Sequence, residues 1–561
     1  MLTFGVVVPA RKLRAWESAC IRRLEWSGTA RLAYCVRTNT PRAKMAAEDR
    51  FARITKAASL REGIPIKAPD APCDVDFVLT FAGADAAKPF AARAPLGIWE
   101  FVFGEPGTFQ SQVPGFWEIY RGYPLTGASL VRISQDERTV LRSAHLPVIA
   151  DSLAQNVDTL LDEIARWPGG VCEHLAAGCA QRLVNPSPAT QMAFGYPSLA
   201  QMSAGRAIAA KNALARFARI NLLRIEWGVF RLEASPWECI GKDMRAKIAP
   251  LPGAPRKAFL ADPCIVEQNG RTFIFCEEFR YDLNRGVIVA LERYAGGKMQ
   301  VQDAIDEPHH LSYPQVFEHG GEIYCVAETA SINRAGLYRA VEFPYCWEFV
   351  KPLLDGVRAV DSTFLRHGGK WWLFCTNGRG PRKGDHSHLN IFYADDLLGE
   401  WKRHAQNPVK IDVRSARPAG QIFEHGGALY RPAQDCSRTY GGAITLNRIE
   451  RLSETEFCET YAGTVRPPAG RYGKGIHTIS AAGDMCIVDA KRYAFNPKGV
   501  LEIAKAVVKF AAARAGVHLP RGVHIAGTFP VRPVIAARNH RAVSALAKHA
   551  RNDDVGGLTV D

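Results

Sequence analysis

Six residues between positions 262 and 477 are of types that could do chemistry together: Asp262, Asp361, Arg414, Arg417, Asp435 and His477. They fall near the starts and ends of short apolar runs, and as a set they are more polar than a core tolerates without purpose. Asp262 and Asp361 each stand eight residues before a glycine, Gly270 and Gly369. Arg414 and Arg417 cannot protonate a leaving group near neutral pH, because a guanidinium stays charged up to about pH 12. Their forks do match a phosphate or carboxylate bidentately. Glu328 and Asp435, at the ends of second apolar runs, could supply a carboxylic acid. Tyr313, Tyr430, Tyr440, Trp371 and Trp372 are of the kind that stacks on sugar rings, those at strand ends above all. Plainer readings stand beside these. Asp262 next to Pro263 fits a turn cap, Asp361 has Arg358 and Arg417 as ion-pair partners, and His309 and His310 fit loop positions under Tyr313.

The elements that must position these residues are visible as a repeat. Five segments, 262–278, 313–329, 361–376, 419–435 and 477–490, each read as an apolar strand, a polar loop ending in glycine, and a second apolar strand. Their turn glycines, Gly270, Gly321, Gly369, Gly427 and Gly483, are spaced by 51, 48, 58 and 56 residues. A period near fifty with paired strands in each unit predicts the blades of an all-β, five-bladed propeller. Further strands are expected at 286–294, 335–343, 389–396 and 442–452. Each blade buries its faces only against its neighbours, so the five should form one cooperative unit around a channel. A ligand site is expected at the mouth of that channel.

Before the repeats the pattern changes. Strands at 3–9, 30–37, 75–82 and 96–103 alternate with helices at 13–26 and 46–60, and helices again fill 151–183. That alternation predicts a doubly wound α/β sheet over 1–183. A helical, basic connector with Arg206, Lys211, Arg216, Arg219 and Arg224 follows over 184–235, then the propeller over 236–495. A basic helical tail spans 496–561, with ten Lys/Arg against four Asp/Glu. Its stretch 498–515 reads as an amphipathic helix, which either docks on its own domain or lies on an anionic membrane.

Composition narrows the partners. The 561 residues are 47% hydrophobic and 23% charged, ordinary for a globular chain of two or three domains. No apolar run approaches the roughly 18 residues that span a bilayer. The apolar start at 2–9 lacks a preceding basic stretch and reads as a first strand. Of the fourteen cysteines, Cys264, Cys276, Cys325, Cys375 and Cys486 sit inside predicted strands. There is no C-x-x-C pair, so free thiols in a reducing, cytoplasmic compartment are expected, without a structural zinc or another cofactor. A net charge of +15 favours anionic partners, phosphorylated substrates or anionic lipid rather than nucleic acid, for which no lysine stripe with interleaved aromatics is present.

Segment 95–148 resembles the folate-dependent formyltransferase domain, through Leu96-Gly97, Gly115-Phe116-Trp117, Tyr120-Arg121-Gly122 and Thr126-Gly127. The resemblance implies a Rossmann-like fold. It also implies an Asn and a His that polarise and protonate, which fall here on Glu100 and Val102, and an Asp that falls on Asp136, with Arg138 replacing a following glycine. A valine exchanges no proton, so the implied domain is a degenerate formyltransferase that docks or binds rather than transfers.

The propeller carries two resemblances. Ala261-Asp262-Pro263 and Ala359-Val360-Asp361 are similar to the propeller of glycoside hydrolases, family 43-like, that act on arabinans, xylans and fructans. That likeness implies Asp262 as base or nucleophile, Asp361 as the residue that tunes it, and His477 as a channel histidine. The general acid expected in the fourth blade is missing from Ser415-Ala416-Arg417-Pro418-Ala419. The second likeness is nearer. Segments 307–329, 356–364, 412–420 and 430–441 resemble the non-catalytic N-terminal propeller of glucosamine inositolphosphorylceramide transferases. It implies a transferase-related protein of glycolipid or surface-polysaccharide assembly, cytoplasmic or peripheral to an inner membrane. The expected partners are a sugar, sugar phosphate or nucleotide sugar, and possible companions include a glycosyltransferase. Asp262, Asp361 and Glu328 are the candidate catalytic residues; Arg414, Arg417, Asp435, His477 and Tyr313 are the candidate binding residues. A glycan-binding scaffold and a retained hydrolase are the competing readings.

Overall fold

The computed structural model describes residues 1–10, 13–38, 74–91, 94–105, 108–135, 137–178, 192–251, 257–293, 299–377, 386–483 and 485–514. The predicted helix at 46–60 and Asp136 lie outside them. No helix among the described residues is long and apolar enough to cross a membrane.

The N-terminal domain is an α/β layer. Strands Leu2–Pro9, Ala30–Thr38, Phe77–Thr80 and Ile98–Phe103 are mutually parallel, with Leu2–Pro9 in the second position of the row. The sheet then turns antiparallel, as Leu125–Ser134 pairs with Ile98–Phe103 and forms a hairpin with Glu137–Pro147. Helices Ala15–Trp26, Leu153–Ile164 and Trp167–Ala176 pack their apolar residues (Cys20, Leu24, Leu160, Ile164, Val171) on the core strands. The parallel half matches the predicted doubly wound pattern; the antiparallel hairpin is the departure from it.

Five sheets follow, and they are the five predicted blades. The first is Ala258–Gln268, Arg271–Arg280, Arg285–Arg293 and Met299–Ile305; the second starts at Ser312–His319, the third at Val360–His367. All five turn glycines hold positive φ, from +52° at Gly483 to +81° at Gly321, the conformation that closes a tight hairpin. Cys264, Cys276, Cys325, Cys375 and Cys486 are buried free thiols in the packed strands.

The fifth blade shows how the ring closes. Its outer strands are not taken from the end of the chain. Strand Leu223–Leu232, which lies within the predicted helical connector, pairs antiparallel with Met485–Phe495 from Leu223↔Phe495 to Arg231↔Ile487. Ile248–Pro250 then adds to its other edge. The propeller therefore starts before residue 236, and sequence before the first blade completes the last. Only the helix Leu199–Leu222 fits the connector as predicted.

Blades three and four meet the N-terminal domain within one compact unit, 1–500. Val413 N–H donates to His145 O at 2.9 Å, and Arg142 Nη2 donates to Pro408 O at 3.2 Å. His388 Nε2 lies 3.1 Å from Glu163 Oε2, in a buried contact that Trp167 supports by donating to the other Glu163 oxygen. Ile411 is buried in the N-terminal core.

Blades three and four are also tied by a buried triad. Glu459 accepts from Arg431 Nε and Nη2 at 2.9 and 2.7 Å and from Lys410 Nζ at 2.7 Å. Burial alone would raise the Glu459 pKa, but the two cations bring it down to about 2. A carboxyl more acidic folded than unfolded stabilises above its unfolded pKa and loses that contribution as the pH falls through its folded pKa. Glu459→Gln leaves Arg431 buried without its countercharge and should cost about 3–5 kcal/mol at pH 7. Urea unfolding of both proteins should show that gap shrinking as the pH drops from 4.5 towards 2. A gap constant with pH would refute the assignment.

Candidate functional site

The inner strands of the first three blades bulge at one equivalent place. Pairing slips between Ala261 and Cys264, between Ser312 and Gln315, and between Val360 and Thr363. The bulged residues are Asp262, Tyr313 and Asp361, each eight positions before its turn glycine, with φ of +53°, +46° and +52°. Side chains rarely adopt that region, so the surroundings must hold them there.

What holds them is a carboxylate from the preceding blade. A bulge leaves its N–H without a ladder partner, and a buried N–H needs an acceptor. Asp262 N–H donates to Asp489 Oδ2 at 3.0 Å, Tyr313 N–H to Asp262 Oδ2 at 3.2 Å, and Asp361 N–H to Glu328 Oε2 at 2.9 Å. Asp489 Oδ1 also takes the N–H groups of His477 and Thr478, both at 3.0 Å. The fourth blade uses a different device. Gly420, at φ +123°, donates its N–H to Tyr313 Oη at 2.5 Å and approaches Ile479 O too closely for any Cβ.

The predicted residues fall into two groups. Asp262, Tyr313, Glu328, Asp361, Arg417 and His477 come together. Asp361 is gripped bidentately by Arg417 (Nε–Oδ2 2.6 Å, Nη2–Oδ1 3.1 Å) and receives Gln434 Nε2 at 2.7 Å. Asp262 accepts from Thr478 Oγ1 at 3.0 Å and lies 3.4 Å from His477 Nε2. His477 Nδ1 sits 2.5 Å from Asp489 Oδ2, and the imidazole stacks on Trp227 at 3.8 Å.

Arg414 and Asp435 are elsewhere. Arg414 is bound to Asp412, with Nη1 3.5 Å from Glu105 on the N-terminal domain. Asp435 accepts from Ser437 N–H at 2.9 Å. Tyr313 is not a stacking platform, because its hydroxyl bonds Thr363 and Gly420 and only 1% of it is exposed. Trp371, Trp372 and Tyr430 are buried core residues, whereas Tyr440 lies under the Arg417 guanidinium at 4.8 Å. In the N-terminal domain Glu100 is held by Arg138 at 3.3 Å and by Ala84 N–H at 3.1 Å, and Val102 lies in the sheet beside Ser129.

Several residues of the cluster escape the sequence reading. Glu277 is the most informative. It stands seven residues after Gly270, as Glu328 does after Gly321 and Gln434 after Gly427, and that spacing could have found it. Its side chain makes no hydrogen bond to a described residue, and His310 Nε2 lies 3.7 Å away. His310 Nδ1 accepts from Gly286 N–H, so its proton sits on Nε2, facing Glu277. Asp489, Gln434 and His386 complete the set. His386 Nδ1 lies 3.1 Å from Arg417 Nη1 and can only accept there, which again places the proton on Nε2.

So many carboxyl groups in one buried space resist ionisation. Burial raises Asp361 to about 7 against the pull of Arg417, and raises Asp262 to about 6 against that of His477. Glu277 is raised well above the ordinary range by burial and by Asp262, Glu328, Asp361 and Asp489. Burial lowers His386 to about 3, with Arg417 adding to the effect. Burial pushes His477 down, but Asp489 and Asp262 outweigh it and the net shift is upward. Asp262, His477 and Asp489 offer ligand atoms within 4.8 Å of one another, a spacing a cation could use. Their oxygens already accept the backbone and Thr478 bonds given above, so the residues fit a metal poorly.

Residues 233–469 match the family model described as glucosamine inositolphosphorylceramide transferase 1, N-terminal. Two curated relatives bear the name glucosamine inositolphosphorylceramide transferase 1. The one from Arabidopsis thaliana is 36% identical over 41% of this chain and 30% of its own length. The one from Oryza sativa subsp. japonica is 37% identical over 37% of this chain and 29% of its own. The chain thus spans less than a third of the relatives it matches, and the nearer resemblance read in the sequence is shown for the propeller. Among solved structures, a GH43_1 enzyme from Xanthomonas citri aligns at a TM-score of 0.32 and 12% identity, over 43% of this chain and 89% of that one.

The geometry says what an arginine variant should do. Arg417→Gln leaves Asp361 buried without its fork and should destabilise the propeller by about 3–5 kcal/mol. Chemical unfolding of the variant checks this; a change below about 1 kcal/mol would mean the pair contributes little.

Proposed function

We propose that this chain recognises a sugar at the carboxyl-rich end of the propeller channel and serves glycolipid or surface-polysaccharide assembly. The observation that carries the reading is the Glu277 carboxyl. It lies among Asp262, Glu328, Asp361 and Asp489, and it has no hydrogen bond to a described residue. A carboxyl so placed serves a ligand that brings hydroxyl or amine donors, as a sugar or amino sugar does. The match of 233–469 to a family named for glucosamine transfer supports the same substrate class.

A phosphate is the poorer fit. The Arg417 fork is closed on Asp361, Arg414 is closed on Asp412, and Lys491 Nζ is spent on Thr439 Oγ1 and Tyr440 O. Carboxyl groups outnumber the imidazoles of His310, His386 and His477 around Glu277. Recognition is also better supported than turnover on Asp262 or Asp361. Both carboxylates are engaged by blade-to-blade hydrogen bonds, Thr478, Arg417 or Gln434. A sugar-binding module working beside a partner glycosyltransferase therefore comes first. A transferase-related enzyme using Glu277 and Glu328 is the second reading, favoured by the name of the matched family.

In this reading the formyltransferase-like domain is a docking module. The Glu100 carboxylate is bound by Arg138 and Ala84, and Val102 offers no proton. The buried free thiols suit a reducing compartment, and the reading places the chain in the cytoplasm.

Titration calorimetry of the full chain with glucosamine, N-acetylglucosamine, glucose, glucose 6-phosphate and inorganic phosphate tests the proposal. Expected is binding of an unphosphorylated sugar, weakened at least tenfold in Glu277→Gln and not competed by phosphate. Binding confined to the phosphorylated ligand, or equal binding by Glu277→Gln, would overturn it.

A further inference from the structure

The helix Leu199–Leu222 runs directly into strand Leu223–Leu232, has Asn496 N–H donating to Leu222 O at its C-terminal end, and carries a row of exposed apolar side chains. Its first half is anchored, with Met202, Gly205 and Ala209 buried and Asn212 bonded to Ala150 O. Its second half is tied by Arg216 to Asp151, but its apolar side chains are exposed. Leu214 is 70% exposed, Phe217 50% and Ile220 58%. At 100° per residue these three lie within about 120° of one another on the helix surface. The exposed apolar residues continue across the junction through Leu222 and Leu223 to Phe495, the pairing partner of Leu223. Single exposed leucines mean little; a row of six along one junction marks an interaction surface.

The charge around this row says what it faces. The helix carries Arg206, Lys211, Arg216 and Arg219 and has no Asp or Glu over its length. Arg216 pairs with Asp151 at 2.7 Å, and just beyond the helix Arg224 pairs with Glu226. Arg206, Lys211 and Arg219 make no ion pair with a described residue and are exposed. Two occupants are disfavoured on charge. Residues 496–561 of this chain, which start at the patch, carry ten Lys/Arg against four Asp/Glu, and a second copy would present the same cationic face. Either would bring like charges together. An anionic lipid surface is complementary to both features, taking Phe217 and Leu214 at the acyl boundary and the cations at the headgroups.

We propose that the second half of helix Leu199–Leu222, with Leu223 and Phe495, docks this protein on an anionic membrane surface. The face is distinct from the channel, so the proposal stands apart from the sugar reading. It would hold the propeller beside a lipid-linked acceptor.

Co-sedimentation of the full chain with vesicles tests it. The vesicles are phosphatidylcholine alone or phosphatidylcholine with 30% phosphatidylglycerol, a composition chosen for roughly physiological surface charge. Expected is binding to the anionic vesicles only, reversed by raising the salt. At about fivefold per cation near the surface, Arg206→Gln with Lys211→Gln, the two cations on the side of the apolar row, should weaken binding roughly 30-fold. Leu214→Ser with Phe217→Ser should abolish it, with the circular dichroism melting curve unchanged. Three results would overturn the proposal. These are no binding to anionic vesicles, unchanged binding by the variants (which would assign it to another basic segment), and a size-exclusion shift showing that the apolar variants dissociate a dimer.

Discussion

The propeller depends on the hydrogen bond from a bulged backbone N–H to a carboxylate of the preceding blade. An inner strand that bulges loses a ladder bond at a buried position, and leaving that N–H unpaired costs about 1–3 kcal/mol. Asp489, Asp262 and Glu328 meet this need for Asp262, Tyr313 and Asp361 in turn. Each cap crosses a blade boundary, so local geometry and blade order are set by the same contacts. Asp262 is both donor and acceptor in this chain of bonds. Replacing it therefore disturbs two blades rather than one.

The same device creates the electrostatics of the channel. Capping with carboxylates concentrates acid where solvent is excluded, and the groups raise one another above the ordinary carboxyl range. Arg417 is the compensation the fold provides, and it is used up on Asp361. The arginine at position 417 serves charge balance. Asp361, not a cap itself, is held by Arg417 and Gln434, and Glu277 alone among Asp262, Glu277, Glu328, Asp361 and Asp489 has no hydrogen bond to a described residue.

Much of this was legible in the sequence, and the misses have physical causes. The turn glycines gave five blades because a two-stranded hairpin needs φ > 0 at a fixed place, and glycine meets that need cheaply. The spacing of eight that singled out Asp262 and Asp361 also holds for Tyr313, and it is the position of the bulge. Seven residues after the glycine lies the partner strand's inward position. That rule relates Glu328 to Glu277, which a search by chemical type alone passes over. Strand Leu223–Leu232 was illegible because its partner, Met485–Phe495, lies about 260 residues away in sequence. Nothing local distinguishes a closing strand from the end of a basic helix. Arg414 and Arg417 differ by three positions yet face different neighbours, since the segment between them leaves the N-terminal interface and enters the channel.

That segment gives the N-terminal domain a part in the site without chemistry of its own. Asp412 lies beside His145, and Val413 donates to His145 O. Cys436 N–H in turn donates to Val413 O, and Gln434 N–H donates to Arg417 O. Residues 412–417 are thus held on one side by the N-terminal hairpin and on the other by the strand that carries Gln434. Gln434 and Arg417 are the two side chains that fix Asp361. The arrangement of the carboxyl ring therefore depends on the N-terminal hairpin through backbone and side-chain contacts: His145 fixes 412–413, and 412–417 carries Arg417 to Asp361.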